Sequence, residues 1–363
     1  MSVNLINLFD YEPLAQARLS PMAFDYYASG AWDEVTLKDN RAAFNRYKLR
    51  PRMLVDVSHR DLSTTILGQK LAMPILIAPM AFQCLAHPEG EVATACAARE
   101  LGTIMVLSTL ATKSLETVAA VDSLRWFQLY VHRDRFLTKS LVERAYKAGF
   151  QALCLTVDAP VLGRREKDRR NQFVLPPGME LANLASMTDL EIPYHQGESG
   201  LFSYFLEQLN PALTWKDLEW LQSISPLPLV IKGILRGDDA LRAVECGAKA
   251  IIVSNHGGRQ LDGAIASIDA LSDVVAAVGD KAEILLDGGI RRGTDILKAL
   301  ALGAKAVLLG RPVLWGLAVD GQLGVQKVLE LLTDELDLVM ALSGCATLKD
   351  VDPSMVRSGE LLI

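Results

Sequence analysis

What is scarce in this chain narrows the field first. There are five cysteines in 363 residues, and Cys84, Cys96, Cys154, Cys246 and Cys345 are far apart, with no C-x-x-C pair. That pattern argues against a paired-ligand zinc site and against a secreted disulfide framework, and suits buried thiols in a reducing compartment. Basic charge is in deficit, with 37 Lys and Arg against 43 Asp and Glu for a net charge of −6. A nucleic-acid backbone partner, which needs clustered basic charge, is not expected. The most apolar stretch, Leu71 to Phe82, is about a dozen residues long and holds two prolines, too short to cross a bilayer. Met1 to Pro13 shows no basic start leading into an apolar run, and Glu360-Leu-Leu-Ile363 is no peroxisomal address of the S-K-L type. The expectations are a cytoplasmic protein with no metal, no nucleic acid and no membrane partner.

What is plentiful is apolar mass. Hydrophobic residues make up 50% of the chain and charged ones 22%, which excludes disorder and supports a sizeable core. From residue 70 onward a short apolar run, a turn and an Ala/Leu/Glu-rich helical stretch repeat. The runs are Ile75–Ala78, Ile104–Leu107, Trp126–Leu129, Leu153–Val157, Leu229–Ile231, Ile251–Val253, Ile284–Leu286 and Val307–Leu309. They are apolar on both faces, as strands of a buried parallel sheet are. The corners Ala148-Gly149-Phe150, Cys246-Gly247-Ala248 and Leu302-Gly303-Ala304 place Gly where a helix ends before the next strand. Eight such units close into an α/β (β/α)8 TIM barrel. An open doubly wound sheet is the alternative, and no G-x-G-x-x-G follows the first strand to support it. Residues 1–70 read as an N-terminal helical segment, with helical periodicity from Asp10 to Ser29, packed across one end of a barrel that spans 71–363. No linker separates them, so 1–363 reads as one domain. The gap from Val157 to Leu229 is a long connection after strand 4, with mobility expected in its polar middle, Met187 to Ser203.

In this fold reacting groups sit at the carboxyl ends of strands. Six of the eight ends are polar: Gln128-Leu-Tyr130, Thr156-Val-Asp158, Lys232-Gly233, Ser254-Asn-His-Gly-Gly-Arg259, Asp287-Gly-Gly289 and Gly310-Arg311. Of the five histidines, only His256 directly follows an apolar strand between glycines, and a histidine can take a proton near neutral pH. His59, His87, His132 and His195 read as surface residues. Asp158 can orient the His256 imidazole, or else N-cap a helix. The loops Asp287-Gly-Gly-Ile-Arg-Arg-Gly293 and Gly310-Arg-Pro312 carry the phosphate-binding character of strands 7 and 8, with Arg291 and Arg311 able to add bidentate bonds. Arg259 and the Gly163-Arg-Arg165 segment suggest an anionic substrate, most naturally a carboxylate, with Arg164 read as a surface charge.

The stretch Ser-Asn-His-Gly-Gly-Arg-Gln-Leu-Asp over 254–262 resembles the active-site signature of the FMN-dependent α-hydroxy acid oxidases. The resemblance extends through Asp25-Tyr-Tyr-Ala-Ser-Gly30, His87-Pro-Glu-Gly90, Phe127-Gln-Leu-Tyr130, Leu162-Gly-Arg-Arg-Glu166, Leu286–Gly293 and Leu342-Ser-Gly-Cys345. It implies FMN as cofactor and His256 as base, with Asp158 behind it. It implies Arg165 and Arg259 on the substrate carboxylate, Tyr26 and Tyr130 on the substrate oxygens, and Lys232 beside the flavin. Pro79, Met80, Ala81, Ser108, Gln128, Thr156 and Ser254 match isoalloxazine and ribityl contacts, as Tyr130 and Lys232 also do. Asp287, Gly288, Gly289, Arg291, Gly310 and Arg311 match ribityl and phosphate contacts.

Two departures bear on the substrate. Glycolate oxidases of this family usually carry Trp where this chain has Leu110 and Thr where it has Met80. Leu opens the space beside the substrate α-carbon, and a methyl in a fitted pocket is worth about 1 to 3 kcal/mol. The expected activity is oxidation of small L-2-hydroxy acids, L-lactate ahead of glycolate, with O2 reduced to H2O2 by a homotetramer or higher homo-oligomer. A glycolate-preferring oxidase, or a dehydrogenase with another acceptor, is the alternative within the resemblance. Outside it stand a Schiff-base aldolase using Lys232 and a non-catalytic flavin binder.

Overall fold

The computed structural model describes residues 5–185 and 200–359. The expected mobile stretch 187–203 falls outside the described residues except for 200–203, which open the helix Gly200–Gln208. Eight parallel strands form a closed barrel: β1 (Ile75–Ile77), β2 (Ile104–Leu107), β3 (Leu124–Leu129), β4 (Leu153–Thr156), β5 (Leu229–Ile234), β6 (Ala250–Val253), β7 (Glu283–Asp287) and β8 (Ala306–Leu309). Neighbours in sequence are neighbours in space, and β8 pairs with β1 to close the ring, Val307 opposite Ile75.

The double-sided apolar runs are explained by two buried layers. One set of side chains, including Leu76, Val106, Trp126, Cys154, Val230, Ile252, Leu285 and Leu308, packs together, joined by Ile66 and Leu71. The alternate residues, such as Ile75, Met105, Phe127, Leu155, Ile231, Ile251, Leu286 and Val307, belong to the larger core that includes the helices. Strand side chains point alternately to opposite faces, so a barrel strand wrapped by helices has no polar side. Ile66 and Leu71 come from an antiparallel hairpin, Thr64–Ile66 with Gln69–Leu71.

The predicted helix around Asp10 to Ser29 is two helices, α1 (Tyr11–Arg18) and α2 (Pro21–Ala28), followed by α3 (Val35–Ala42). Ser20 separates the first two by capping α2, its hydroxyl accepting from Ala23 N at 3.2 Å, with Pro21 at the first helical position. This segment lies against the carboxyl end of the barrel. Ala31 N donates to Gly258 O at 2.8 Å, and a Cβ on Gly258 would stand 2.5 Å from Leu37 N. Gly258 therefore permits the segment to dock.

Candidate functional site

The carboxyl ends of the strands surround a cavity whose empty space, open mouth included, is about 1050 Å³. Its walls include Pro79, Met80 and Ala81 after β1, Ser108 and Leu110 after β2, and Gln128 and Tyr130 from the end of β3. Thr156, Arg165, Lys232, His256, Arg259 and the 287–291 and 310–311 loops complete it, with Tyr26 entering from α2. Residues named from separate strand ends thus meet in one place. Two do not reach the wall. Asp158 stands behind His256, its Oδ1 2.8 Å from the imidazole Nδ1. Ser254 is fully buried and touches Lys232 Nζ (2.9 Å) and His256 N (3.0 Å), so it lies beneath the cavity rather than in it.

His256, Gly257 and Gly258 all have left-handed backbone, at φ of +59°, +63° and +74°. For histidine that is an uncommon conformation, held here by its surroundings. Asn255 supplies much of the hold. Its side-chain oxygen accepts from Gly258 N at 3.1 Å, and its amide donates to Asn40 Oδ1 at 2.8 Å while Asn40 Nδ2 donates back at 2.7 Å. Asn40 comes from α3. Sequence reading passed over both asparagines, since nothing local marks a side-chain pair that closes across the fold.

On β5 the register shifts between Lys232 and Ile234. This bulge turns at Gly233, φ +107°, where a Cβ would come within 2.6 Å of Asp158. Lys232 Nζ pairs with Asp287 Oδ2 at 2.9 Å. Burial works against the Lys232 charge, but Asp287 and Asp158 outweigh it and leave its pKa raised. Burial lowers the pKa of His256 despite the opposing pull of Asp158. Burial acts to raise that of Asp158, yet His256 and Lys232 hold it below the usual carboxylate value. The favoured pair at neutral pH is a neutral imidazole on an ionised carboxylate.

Arg259 and Arg311 are locked against the carboxyl end of α2. Arg259 Nη1 donates to the carbonyls of Tyr26 (2.6 Å), Ser29 (2.8 Å) and Tyr27 (3.3 Å), and its guanidinium lies 5.0 Å from the Tyr26 ring centre. Arg311 donates to Tyr27 O (3.0 Å), Ser29 O (3.2 Å) and Gly257 O (3.0 Å). Burial and the neighbouring guanidiniums of Arg259 and Arg291 pull the Arg311 pKa down to about 9. Arg259 falls to about 10 through burial and Arg165. Buried like charges gathered this way call for an anion. Arg164 is exposed, as expected.

Two further residues were misplaced or missed from sequence. His132, read as a surface residue, is 1% exposed, with Nε2 2.8 Å from Tyr204 OH. Burial takes its pKa down to about 4. The cause is the helix Gly200–Gln208, which docks over it from the long connection. His195 lies outside the described residues. The same helix brings Phe205 into the cavity wall, edge-on to Tyr130 at 5.4 Å. The apolar run Leu-Phe-Ser-Tyr-Phe-Leu over 201–206 was the available signal.

The family described as FMN-dependent dehydrogenase matches residues 15–358. The chain belongs to that family. The chain is 71% identical to an L-lactate oxidase of Nostoc sp. over 97% of its own length and 98% of the relative's. It is 51% identical to 2-hydroxyacid oxidase 1 of Homo sapiens, covering 100% of this chain and 99% of that one. Among solved structures it is similar to a mandelate oxidase with (S)-4-hydroxymandelic acid, at a TM-score of 0.95 and 44% identity over 98% of this chain and 100% of that one. FMN is the cofactor of the family and of this chain. Its cavity suits the group. The buried Gln128 Nε2 and Asp287 Oδ1 have no hydrogen-bond partner. A Cβ on Gly310, at the amino end of the helix Arg311–Ser343, would meet nothing within 4 Å. Open space at a helix amino end beside Arg311 is the requirement for a phosphate.

Proposed function

We propose that the chain, working as a single domain over 1–363, oxidises small L-2-hydroxy acids to 2-oxo acids. L-Lactate is preferred, glycolate is also turned over, and O2 is reduced to H2O2. The observation that carries this reading is that His256, backed by Asp158, lines the same cavity as Arg165 and Arg259. The cavity thus offers both a proton acceptor and a carboxylate fork. The similarity to the Nostoc L-lactate oxidase supports the choice of substrate and acceptor.

Because Asp158 occupies Nδ1, that nitrogen carries the ring proton and Nε2 is left as the basic atom. His256 Nε2 removes a proton from the bound hydroxy acid, and Asp158 stabilises the imidazolium that results. Arg165 and Arg259 grip the carboxylate, Arg259 held rigid by its carbonyl contacts. Tyr26 and Tyr130 contact the substrate oxygens. FMN, when bound, supplies the two-electron acceptor. Arg291, Arg311, Gly288, Gly289, Gly310 and Asp287 would hold its phosphate and ribityl chain. Pro79, Met80, Ala81, Ser108, Gln128, Tyr130 and Thr156 would line its ring. Lys232 would place positive charge beside that ring, kept in position by Ser254 from below. Leu110 and Met80, with Phe205, shape the side-chain pocket.

Assembly and location belong to the same reading. Trp32, Val35, Val161, Leu261 and Ile265 are exposed apolar residues, Val35 at the start of α3 and the others on loops, and these segments bond to one another, Trp32 N to Arg164 O and Val35 N to Asp262 Oδ2. Such a patch suits a homotetramer contact. Five unpaired thiols suit the cytoplasm, and no described helix is long and apolar enough to cross a membrane.

The test is the visible spectrum of the purified yellow protein before and after anaerobic L-lactate, followed by air. Bleaching, then recovery with stoichiometric peroxide, is expected. A flavin that stays oxidised with every 2-hydroxy acid would overturn the reading.

A further inference from the structure

Directly behind Arg165 lies a carboxylate that the reaction above does not use. Asp168 sits in the short helix Glu166–Arg170, is 2% exposed, and neither of its oxygens accepts a hydrogen bond. Arg165 Nη1 stands 3.9 Å from Asp168 Oδ2, close enough for charge attraction and too far for a hydrogen bond. The helix is fixed to α2. Asn171 Nδ2 donates to Asp25 Oδ2 at 2.9 Å, Lys167 Nζ lies 3.7 Å from Asp25 Oδ1, and Phe173 stacks on Tyr26 at 4.4 Å. Arg165 spends one bond on the backbone, Nε to Arg259 O at 3.4 Å. Its two terminal nitrogens are left between the cavity and the carboxylate.

We propose that Asp168 is the resident counter-ion of Arg165, and that it competes for the guanidinium with the carboxylate of substrate or product. This rests on the reading of the cavity as a 2-hydroxy acid site. With Asp168 ionised, Arg165 and Arg259 carry one net positive charge, and a bound carboxylate cancels it. Without the Asp168 charge the same pocket carries two, and it grips anions harder. Asp168 therefore weakens carboxylate binding so that a product bearing the same carboxylate can leave. The charged and titratable groups facing Asp168 are Arg165, Arg259 and Asp25, with the Tyr26 hydroxyl also within its electrostatic reach. Burial raises the Asp168 pKa against the pull of the two arginines. Carboxylate affinity therefore strengthens as pH falls and Asp168 takes a proton.

The experiment measures binding of oxalate and of neutral lactamide to the flavin-loaded protein, by perturbation of the visible spectrum, for wild type and Asp168→Asn. The variant should bind oxalate roughly tenfold more tightly with lactamide affinity unchanged, and its kcat for L-lactate should fall through slower product release. A merely structural role would move both ligands together. Equal or weaker oxalate binding by the variant overturns the proposal. Should Asp168→Asn not load flavin, Asp168→Ser is read in the same way. Wild type supplies a further reading, since its oxalate-to-lactamide affinity ratio should rise as pH is lowered and a flat ratio overturns the proposal. If wild type binds neither ligand and is not bleached by L-lactate, the reading of the site itself has failed, which is a distinct result.

Discussion

Asp158 Oδ1 and His256 Nδ1 are 2.8 Å apart, and they come from strands with only β5 between them, one residue following β4 and the other following β6. General-base catalysis contributes about 10²- to 10⁴-fold. His256→Ala should bind FMN as wild type does and reduce it slower by that factor in anaerobic stopped flow. Because burial lowers the His256 pKa, the base stays neutral further into acid than a free histidine. The acid limb of kcat/KM should therefore fall below 6.5, the ordinary value. Asp158→Asn should move that limb further down, since the contribution that raises the pKa is removed. A limb above 6.5 in wild type would contradict the burial argument.

Arg259 uses one nitrogen on three backbone carbonyls, so its remaining donors are presented to the cavity in a fixed plane. Lysine keeps the charge and loses the fork. Arg259→Lys should lower kcat/KM for L-lactate by roughly tenfold to a hundredfold, the worth of a charge-assisted hydrogen bond. Wild type should discriminate against lactamide by a similar factor. Equal oxidation of the acid and the amide would remove the arginines from carboxylate recognition.

Leu110 is 3% exposed and lines the cavity together with Met80 and Phe205. Burying the methyl of L-lactate is worth about 0.8 kcal/mol, roughly a fourfold preference over glycolate in kcat/KM. D-Lactate should be nearly inert, because its methyl and α-hydrogen exchange places relative to His256 and the flavin. Leu110→Trp should shift the ratio toward glycolate. Oxygen uptake with the three acids on both proteins decides it, and an unchanged ratio would show that the pocket lies elsewhere.

Gly310 faces open space. Gly310→Ala should leave the melting temperature of the flavin-free protein within a few degrees of wild type while weakening FMN binding measured by flavin fluorescence. Unaltered FMN affinity would place the phosphate away from the amino end of the Arg311–Ser343 helix.

The barrel was legible because its strands are buried on both faces and leave an unbroken apolar trace. The site was legible because each polar group sits at the end of such a trace, so finding β6 finds His256. What escaped has no comparable local mark. Asn40 and Asn255 recognise each other across 215 residues. Phe205 and His132 acquire their surroundings only when the helix Gly200–Gln208 folds back over β3. Ser254 carries a bond no local pattern announces, its hydroxyl joining Lys232 Nζ to His256 N.

The bonds from Arg259 and Arg311 to the end of α2 have a consequence in time. Arg311 and Tyr27 are 284 residues apart, and chains are made at about 5–20 residues per second. Tyr27 therefore leaves the ribosome roughly 15–60 s before its partner exists. Throughout that interval α1 and α2 have no barrel rim to settle on. The catalytic end of this protein is completed by its oldest residues waiting for some of its youngest.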